Sequence, residues 1–137
     1  MRRILIPIAA FILAAPMPAL AQATAFDGAW NVKLSCPSAH DGAKGYTRAF
    51  VAEVKNGQLR SASGKEGEPG WQSLHGQVRA DGSATLTLDG IVKNADYAVG
   101  DSPRGKPFSY EVQAKFDGTS GTGQRMSGRV CTFRFSR

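Results

Sequence analysis

Apolar and polar side chains alternate with a period of two through most of the chain after residue 27, and this pattern constrains the fold more than any other feature. Every second residue from Phe108 to Phe116 is apolar or aromatic, and every residue between them is polar. Such alternation predicts strands with one buried face. Pairs typical of tight turns, such as Asn56 with Gly57, separate the alternating segments, as expected for hairpins.

Eight segments carry this strand pattern. They span 30–36, 46–54, 58–63, 71–79, 83–92, 108–116, 119–125 and 130–135, and the glycine-rich segment 119–125 is also compatible with a loop. The charged, glycine-rich residues 64–70 predict an exposed loop, whereas 93–107 form a long connection without an assignable structure. No stretch has helical periodicity long enough to bury an apolar stripe, so the chain is predicted to be all-β.

The order of these segments predicts a small antiparallel up-and-down β-barrel of about eight strands, because closure removes the exposed edges of an antiparallel sheet. Cys36 lies in the first segment and Cys131 in the last, and these segments are neighbours in such a barrel. We therefore predict a disulfide between them, with two free buried thiols as the alternative. A β-sandwich bridged by the same bond is the alternative fold, and direct pairing of the terminal strands distinguishes the two.

The first 21 residues have the features of a cleavable signal peptide. Arg2 and Arg3 give a positive start, residues 4–15 are almost wholly apolar, and Ala19, Leu20 and Ala21 have the small-x-small form that signal peptidase accepts. The apolar run is short for a membrane-spanning anchor, which is the alternative. We predict a signal peptide at 1–21, a single domain at 22–137 without a membrane span, and a periplasmic or secreted location, where a disulfide persists.

The predicted mature chain is mildly basic. Without Arg2 and Arg3, 15 of the 17 basic residues remain against 11 acidic ones, which gives a net charge of +4. The basic residues never form a block and the aromatic residues fall on strand patterns, so the sequence disfavours a nucleic-acid partner.

Three resemblances to known families accompany these patterns. Asp27, Gly28, Ala29 and Trp30 resemble the first strand of lipocalin-type and avidin-type barrels, which implies that Trp30 closes one barrel end. Over nearly the whole mature chain, the sequence resembles uncharacterised small exported proteins of Gram-negative bacteria, through features such as Cys36 with Pro37, 69–71 and 121–123. It is also similar to the small periplasmic inhibitors of secreted metalloproteases, although its cysteine spacing differs from theirs.

No catalytic or metal-binding group emerges from the sequence. Its two histidines, His40 and His75, have no accompanying nucleophile motif, and we expect His40 in an exposed loop and His75 on the outer face of a strand. A disulfide would leave no thiolate for a metal, and the aspartates near turns are explained by turn chemistry. We therefore predict a protein that is not an enzyme and carries no cofactor or metal.

Aromatic residues with a polar tip and nearby guanidinium groups are typical of a barrel mouth that orients a small ligand. The residues of this kind are Tyr46, Arg48, Trp71, Tyr97 and Arg104. The first hypothesis is that they bind a small ligand or a cell-envelope component, although Tyr46 and Trp71 would equally serve to cap the core. The second is an inhibitor or interaction module for another secreted protein, which would use an exposed loop or the residues before Trp30. A sizeable apolar cavity favours the first hypothesis, and a filled interior favours the second.

Overall fold

The computed structural model describes residues 10–15 and 24–137, and in it the alternating segments form a closed barrel of eight antiparallel strands. Each strand pairs with the next along the chain, and the eighth pairs with the first. Most of the predicted signal peptide lies outside the described residues, so that feature stays a prediction. None of the helical turns within the described ranges has the length and hydropathy that a membrane-crossing helix needs.

The strands follow the predicted segments closely. They are β1 Gly28–Cys36, β2 Tyr46–Lys55, β3 Gln58–Ser63, β4 Gln72–Val78, β5 Ser83–Ile91, β6 Pro107–Asp117, β7 Ser120–Arg125 and β8 Thr132–Ser136. The glycine-rich segment is thus a strand, β7. The unassigned connection between β5 and β6 contains two short 3₁₀ turns, Ala95–Tyr97 and Val99–Asp101.

Closure of the barrel depends on the pairing of β1 with β8, which runs from Asn31 opposite Ser136 to Ser35 opposite Thr132. The Cys36–Cys131 disulfide lies just beyond this ladder and joins residues 95 positions apart in the chain. Both the predicted barrel and the predicted disulfide are confirmed. The sandwich alternative is wrong because the terminal strands pair directly.

Tight turns connect the strands at one end of the barrel. Asn56 and Gly57 have φ values of 51° and 78°, which is the left-handed backbone that a two-residue hairpin requires. The Asp27 carboxylate accepts hydrogen bonds from both of their amides, at 2.8 and 3.1 Å. The chain just before β1 is therefore tied to the turn between β2 and β3.

Aromatic side chains fill the interior at this end, which we call the closed end and at which β1, β3, β5 and β7 begin. Trp30 is fully buried, and its indole nitrogen donates to the Phe26 carbonyl at 2.8 Å. The Phe116 ring meets the Trp30 ring edge-on, with the ring centres 5.1 Å apart. The Arg137 guanidinium covers the Trp30 ring from outside at 4.5 Å, so no side of the indole is left open to solvent.

Candidate functional site

A cavity of about 680 Å³ occupies the opposite end of the barrel, which we call the open end. Its size is typical of small-molecule sites. Strand ends supply the inner wall, and the loops 64–71, 92–106 and 126–131 supply the rim. The lining residues that carry the chemistry are Tyr46, Arg48, Trp71, Gln72, Lys93, Tyr97, Arg104, Phe108, Tyr110, Arg125 and Arg129.

All five predicted ligand residues line this one cavity. Tyr46, Arg48 and Trp71 are half-buried, and Arg48 donates to the Gly70 carbonyl at 3.2 Å. Tyr97 and Arg104 are exposed on the rim. The structure therefore brings the five side chains together, and their role in binding stays a prediction.

Three of these side chains have contacts that define the rim. The Tyr46 ring meets the Tyr97 ring edge-on at 6.2 Å between centres. Arg104 donates to the Lys93 carbonyl at 2.8 Å, which closes the base of the loop between β5 and β6. The loop 92–106, which we call the rim loop, thus lies over the mouth and adds one aromatic ring to the cavity wall.

The inward face of the barrel changes from apolar to polar toward the open end. On β4 the inward residues are Val78, Gly76 and Leu74, and Gln72 comes next. On β6, Phe116 and Val112 are followed by Tyr110. The strand period places these polar groups inside, because side chains two positions apart share a face. Nothing in strand geometry alone requires a polar group there.

Three buried polar atoms at this end have no hydrogen-bond partner among the described residues: Gln72 Nε2, Tyr110 Oη and Arg129 Nε. Their side chains are 5%, 5% and 8% exposed. All three residues line the cavity. Because an unpaired buried polar atom costs about 1–3 kcal/mol, three at one place make this end of the barrel unfavourable for folding alone.

The cavity lining is strongly positive. Arg48, Lys93, Arg104, Arg125 and Arg129 line it, and its lining contains neither Asp nor Glu. None of the five forms an ion pair with a carboxylate within 24–137. The cavity therefore concentrates positive charge against walls of low dielectric constant.

Arg125 and Tyr110 form a stacked pair at the inner wall. The Arg125 guanidinium lies 4.0 Å from the centre of the Tyr110 ring. Burial lowers the pKa of Arg125 from its usual value, and burial raises the pKa of Tyr110, with the nearby Tyr46 ring adding to that rise. Tyr110 therefore keeps its proton at neutral pH, and its hydroxyl can still donate or accept a hydrogen bond.

Arg129 ties three loops together at the rim. Its guanidinium donates to the carbonyls of Pro37 at 3.3 Å and Lys44 at 2.9 Å, and also to the carbonyl of Tyr97. It also lies over the Tyr46 ring, 5.4 Å from the centre. Arg129 is thus mainly a structural clamp that shapes the mouth.

A second tie holds the rim loop through Asp41. Its carboxylate accepts hydrogen bonds from the amides of Gly100 and Ala43, the latter at 3.1 Å. Both bonds lower the pKa of Asp41 below its usual value, and the bond from Gly100 has the larger effect. The carboxylate charge therefore helps to hold the rim loop against the loop between β1 and β2.

Sequence reasoning missed four residues of the inner wall: Gln72, Phe108, Tyr110 and Arg125. A signal for three of them was present, since Gln72, Tyr110 and Arg125 are polar or polar-tipped side chains at inward positions of alternating strands. Arg129 carried no such signal, because it lies in a loop and its position depends on carbonyls about 32 to 92 residues away in sequence.

Neither histidine takes part in this site. His40 is exposed in the loop after β1, as predicted. His75 is on the outer face of β4, also as predicted, and its Nε2 lies 2.9 Å from a carboxylate oxygen of Asp89 on β5. Within the described ranges, no three His, Cys, Asp or Glu side chains come together as possible metal ligands.

Comparisons with known proteins add no relative to this description. Neither a scan against models of protein families nor searches of curated proteins and of solved structures found a match to this chain. The open end of the barrel therefore provides the evidence for a function.

Proposed function

We propose that this protein binds a small ligand in the cavity at the open end of its barrel, outside the cytoplasm and without chemical change to the ligand. The observation that carries the proposal is the cavity of about 680 Å³ whose wall holds Gln72, Tyr110 and Arg129 with unpartnered buried atoms. These atoms have almost no surface exposed to the cavity, so a bound molecule would supply the missing hydrogen bonds after the side chains turn toward it. The predicted signal peptide and the disulfide support the location.

The division of the barrel into two halves supports this proposal. At the closed end the interior is filled by large apolar side chains, among them Trp30, Phe116 and Phe135, all at most 2% exposed. These side chains form the densely packed part of the core. The open half holds the cavity, which the ends of the strands frame, as a binding site requires.

The interaction-module hypothesis has less support in the form that uses the residues before Trp30, and an exposed loop stays open as its contact. Of the residues before Trp30 that it would use, Phe26 is buried and Asp27 is bonded to the turn between β2 and β3. They are parts of the closed end, so they do not form a free contact segment.

The test is native mass spectrometry of the protein purified from the periplasm under mild conditions. Wild-type protein is expected to carry a molecule of small mass that denaturation releases. Gln72→Trp should lose it, because the new ring would occupy the cavity. Gln77→Trp is the matched control, since Gln77 is on the same strand but points outward and is exposed. Retention of the molecule by Gln72→Trp would contradict the proposal.

A further inference from the structure

The unpartnered atoms at the open end indicate which kind of polar atom the ligand presents. Gln72 Nε2 and Arg129 Nε can only donate hydrogen bonds, and the Tyr110 hydroxyl can donate as well. A ligand that satisfies all three must therefore present acceptors. A ligand rich in donors would leave the first two atoms unpaired.

The distribution of charge narrows the choice to anionic acceptors. Five of the 15 basic residues of the predicted mature chain line the cavity, which leaves ten basic residues against 11 acidic ones elsewhere. The whole surplus of positive charge is thus located in the cavity wall. Outside the lining, Lys44 pairs with Asp96 and Lys65 pairs with Glu68.

Among these cations, Arg125 is best placed to hold an acidic group. Its Nε donates to the Ser127 carbonyl, and its two terminal nitrogens have no acceptor in the part of the chain that the structure describes. Stacking on Tyr110 fixes the plane of the guanidinium. A fixed guanidinium with two free terminal nitrogens suits a carboxylate, phosphate or sulfonate group. Arg129, by contrast, is occupied by backbone carbonyls.

The remaining wall is apolar and largely aromatic. The rings of Tyr46, Trp71, Tyr97, Phe108 and Tyr110 line it, together with Ile91 and Val92. The Phe108 and Tyr110 rings are nearly parallel, at 14° and 6.2 Å between centres. These surfaces match a ring system or a hydrocarbon chain.

From these observations we propose that the ligand is a small organic anion, with an acidic head group on Arg125 and an apolar body between the aromatic rings. This inference rests on the proposed function and specifies its ligand class. The acidic group is the shared chemistry of aromatic acids, fatty acids and small phosphate esters.

Two fluorescent probes with the same ring skeleton test the inference. 1-Anilinonaphthalene-8-sulfonate carries an acidic group, and N-phenyl-1-naphthylamine lacks it. We expect wild-type protein to bind the sulfonate at least about tenfold more tightly, as a charge-assisted hydrogen bond at a partly buried site implies. Dodecanoate should displace it at lower concentration than dodecanol.

Variants of Arg125 test whether this residue binds the acidic head group. Arg125→Met should reduce the preference for the sulfonate to less than about threefold while leaving the affinity for the neutral probe similar. Arg125→Lys, which keeps the charge but not the planar fork, should retain part of the preference. Arg134→Met removes one charge from the outer face of β8 and should change neither affinity. An unchanged unfolding midpoint for Arg125→Met shows that the fold is intact.

The outcomes separate this inference from the proposed function. Equal binding of both probes in the cavity would overturn the anionic ligand and leave the binding function standing. Absence of binding by either probe would count against both. A full sulfonate preference in folded Arg125→Met would overturn the role of Arg125.

Discussion

Single residues at the open end place polar atoms where the barrel offers them no hydrogen-bond partner among the described residues. Gln72 lies in line with Leu74 on the inward face of β4, where an apolar side chain would pack without an unpaired donor. The same holds for Tyr110 in line with Val112 on β6. Functional sites typically contain several neighbouring side chains that are unfavourable for folding.

Replacement of Gln72 by Leu should therefore stabilise the fold and weaken binding. We expect the free energy of unfolding to rise by about 1 kcal/mol, because a buried unpaired amide is removed. Denaturant unfolding measures the change, and titration with 1-anilinonaphthalene-8-sulfonate measures the affinity. Gln124→Leu, at an exposed position of β7, is the control and should alter neither. A destabilised Gln72→Leu would show that the Gln72 amide is satisfied in solution.

Gly90 controls the position of an aromatic wall residue. A Cβ atom at this position would lie 2.3 Å from the Phe108 ring, so the ring would have to move. We expect Gly90→Ala to destabilise the barrel by about 1–3 kcal/mol and to lower the affinity for the neutral probe N-phenyl-1-naphthylamine. Thr87→Ala, on the outer face of the same strand, provides the control. Unchanged stability and affinity in Gly90→Ala would show that Phe108 is mobile enough to yield.

At the scale of elements, strands were predictable and the rim loop was not. Alternation and turn pairs indicated the strands because a half-buried strand imposes a period of two on its own sequence, and only the glycine-rich β7 was left open between a strand and a loop. The connection between β5 and β6 has no such period. Its position is set by distant partners, since Arg129 and Asp41 hold it through the carbonyl of Tyr97 and the amide of Gly100. Neither contact leaves a local trace in the sequence.

The candidate site was also only partly predictable from the sequence. Tyr46, Arg48 and Trp71 were predictable because aromatic and basic side chains near strand ends suggest a mouth. Their convergence on one cavity required the closure of the barrel, which brings β2, β4 and β6 to a common end. Arg129 became part of the site only through loop contacts, so residue type and spacing could not identify it.

The tie between Asp41 and the rim loop should depend on pH. Because the pKa of Asp41 is lowered in the folded protein, its charge stabilises the loop contact above the usual value of 3.8, and this contribution is lost as the pH falls through the lowered pKa. We expect the hydrogen-exchange protection of the Gly100 amide to fall as the pH drops below the usual pKa of 3.8 and to be low at every pH in Asp41→Ala. The Arg125 amide, bonded to the Cys131 carbonyl at 2.9 Å, is the reference and should stay protected. Equal protection of Gly100 in wild type and Asp41→Ala would contradict this account.

At the scale of the whole molecule, closure of the barrel joins the two ends of the domain. The β1–β8 ladder and the Cys36–Cys131 disulfide both contribute, and the bond spans a separation of 95 residues. Chain-entropy arguments assign the largest stabilisation to such long loops.

Removal of the disulfide should therefore be costly. We expect the Cys36→Ala, Cys131→Ala double variant to lose about 4–5 kcal/mol in free energy of unfolding, as measured with guanidinium chloride. Wild type under reducing conditions is the companion measurement and should show a similar loss. A loss below about 1 kcal/mol would show that the ladder alone holds the terminal strands together.

We propose that the barrel binds small organic anions at its open end. The two tryptophans of the chain provide a direct test of this proposal. Trp71 lines the cavity, and Trp30 is buried at the closed end, so a ¹H–¹⁵N spectrum reports each end through one indole signal. On titration with 1-anilinonaphthalene-8-sulfonate we predict that the Trp71 indole signal shifts in a saturable manner while the Trp30 signal does not move. A fixed Trp71 signal, or a saturable shift of Trp30 alone, would contradict the account.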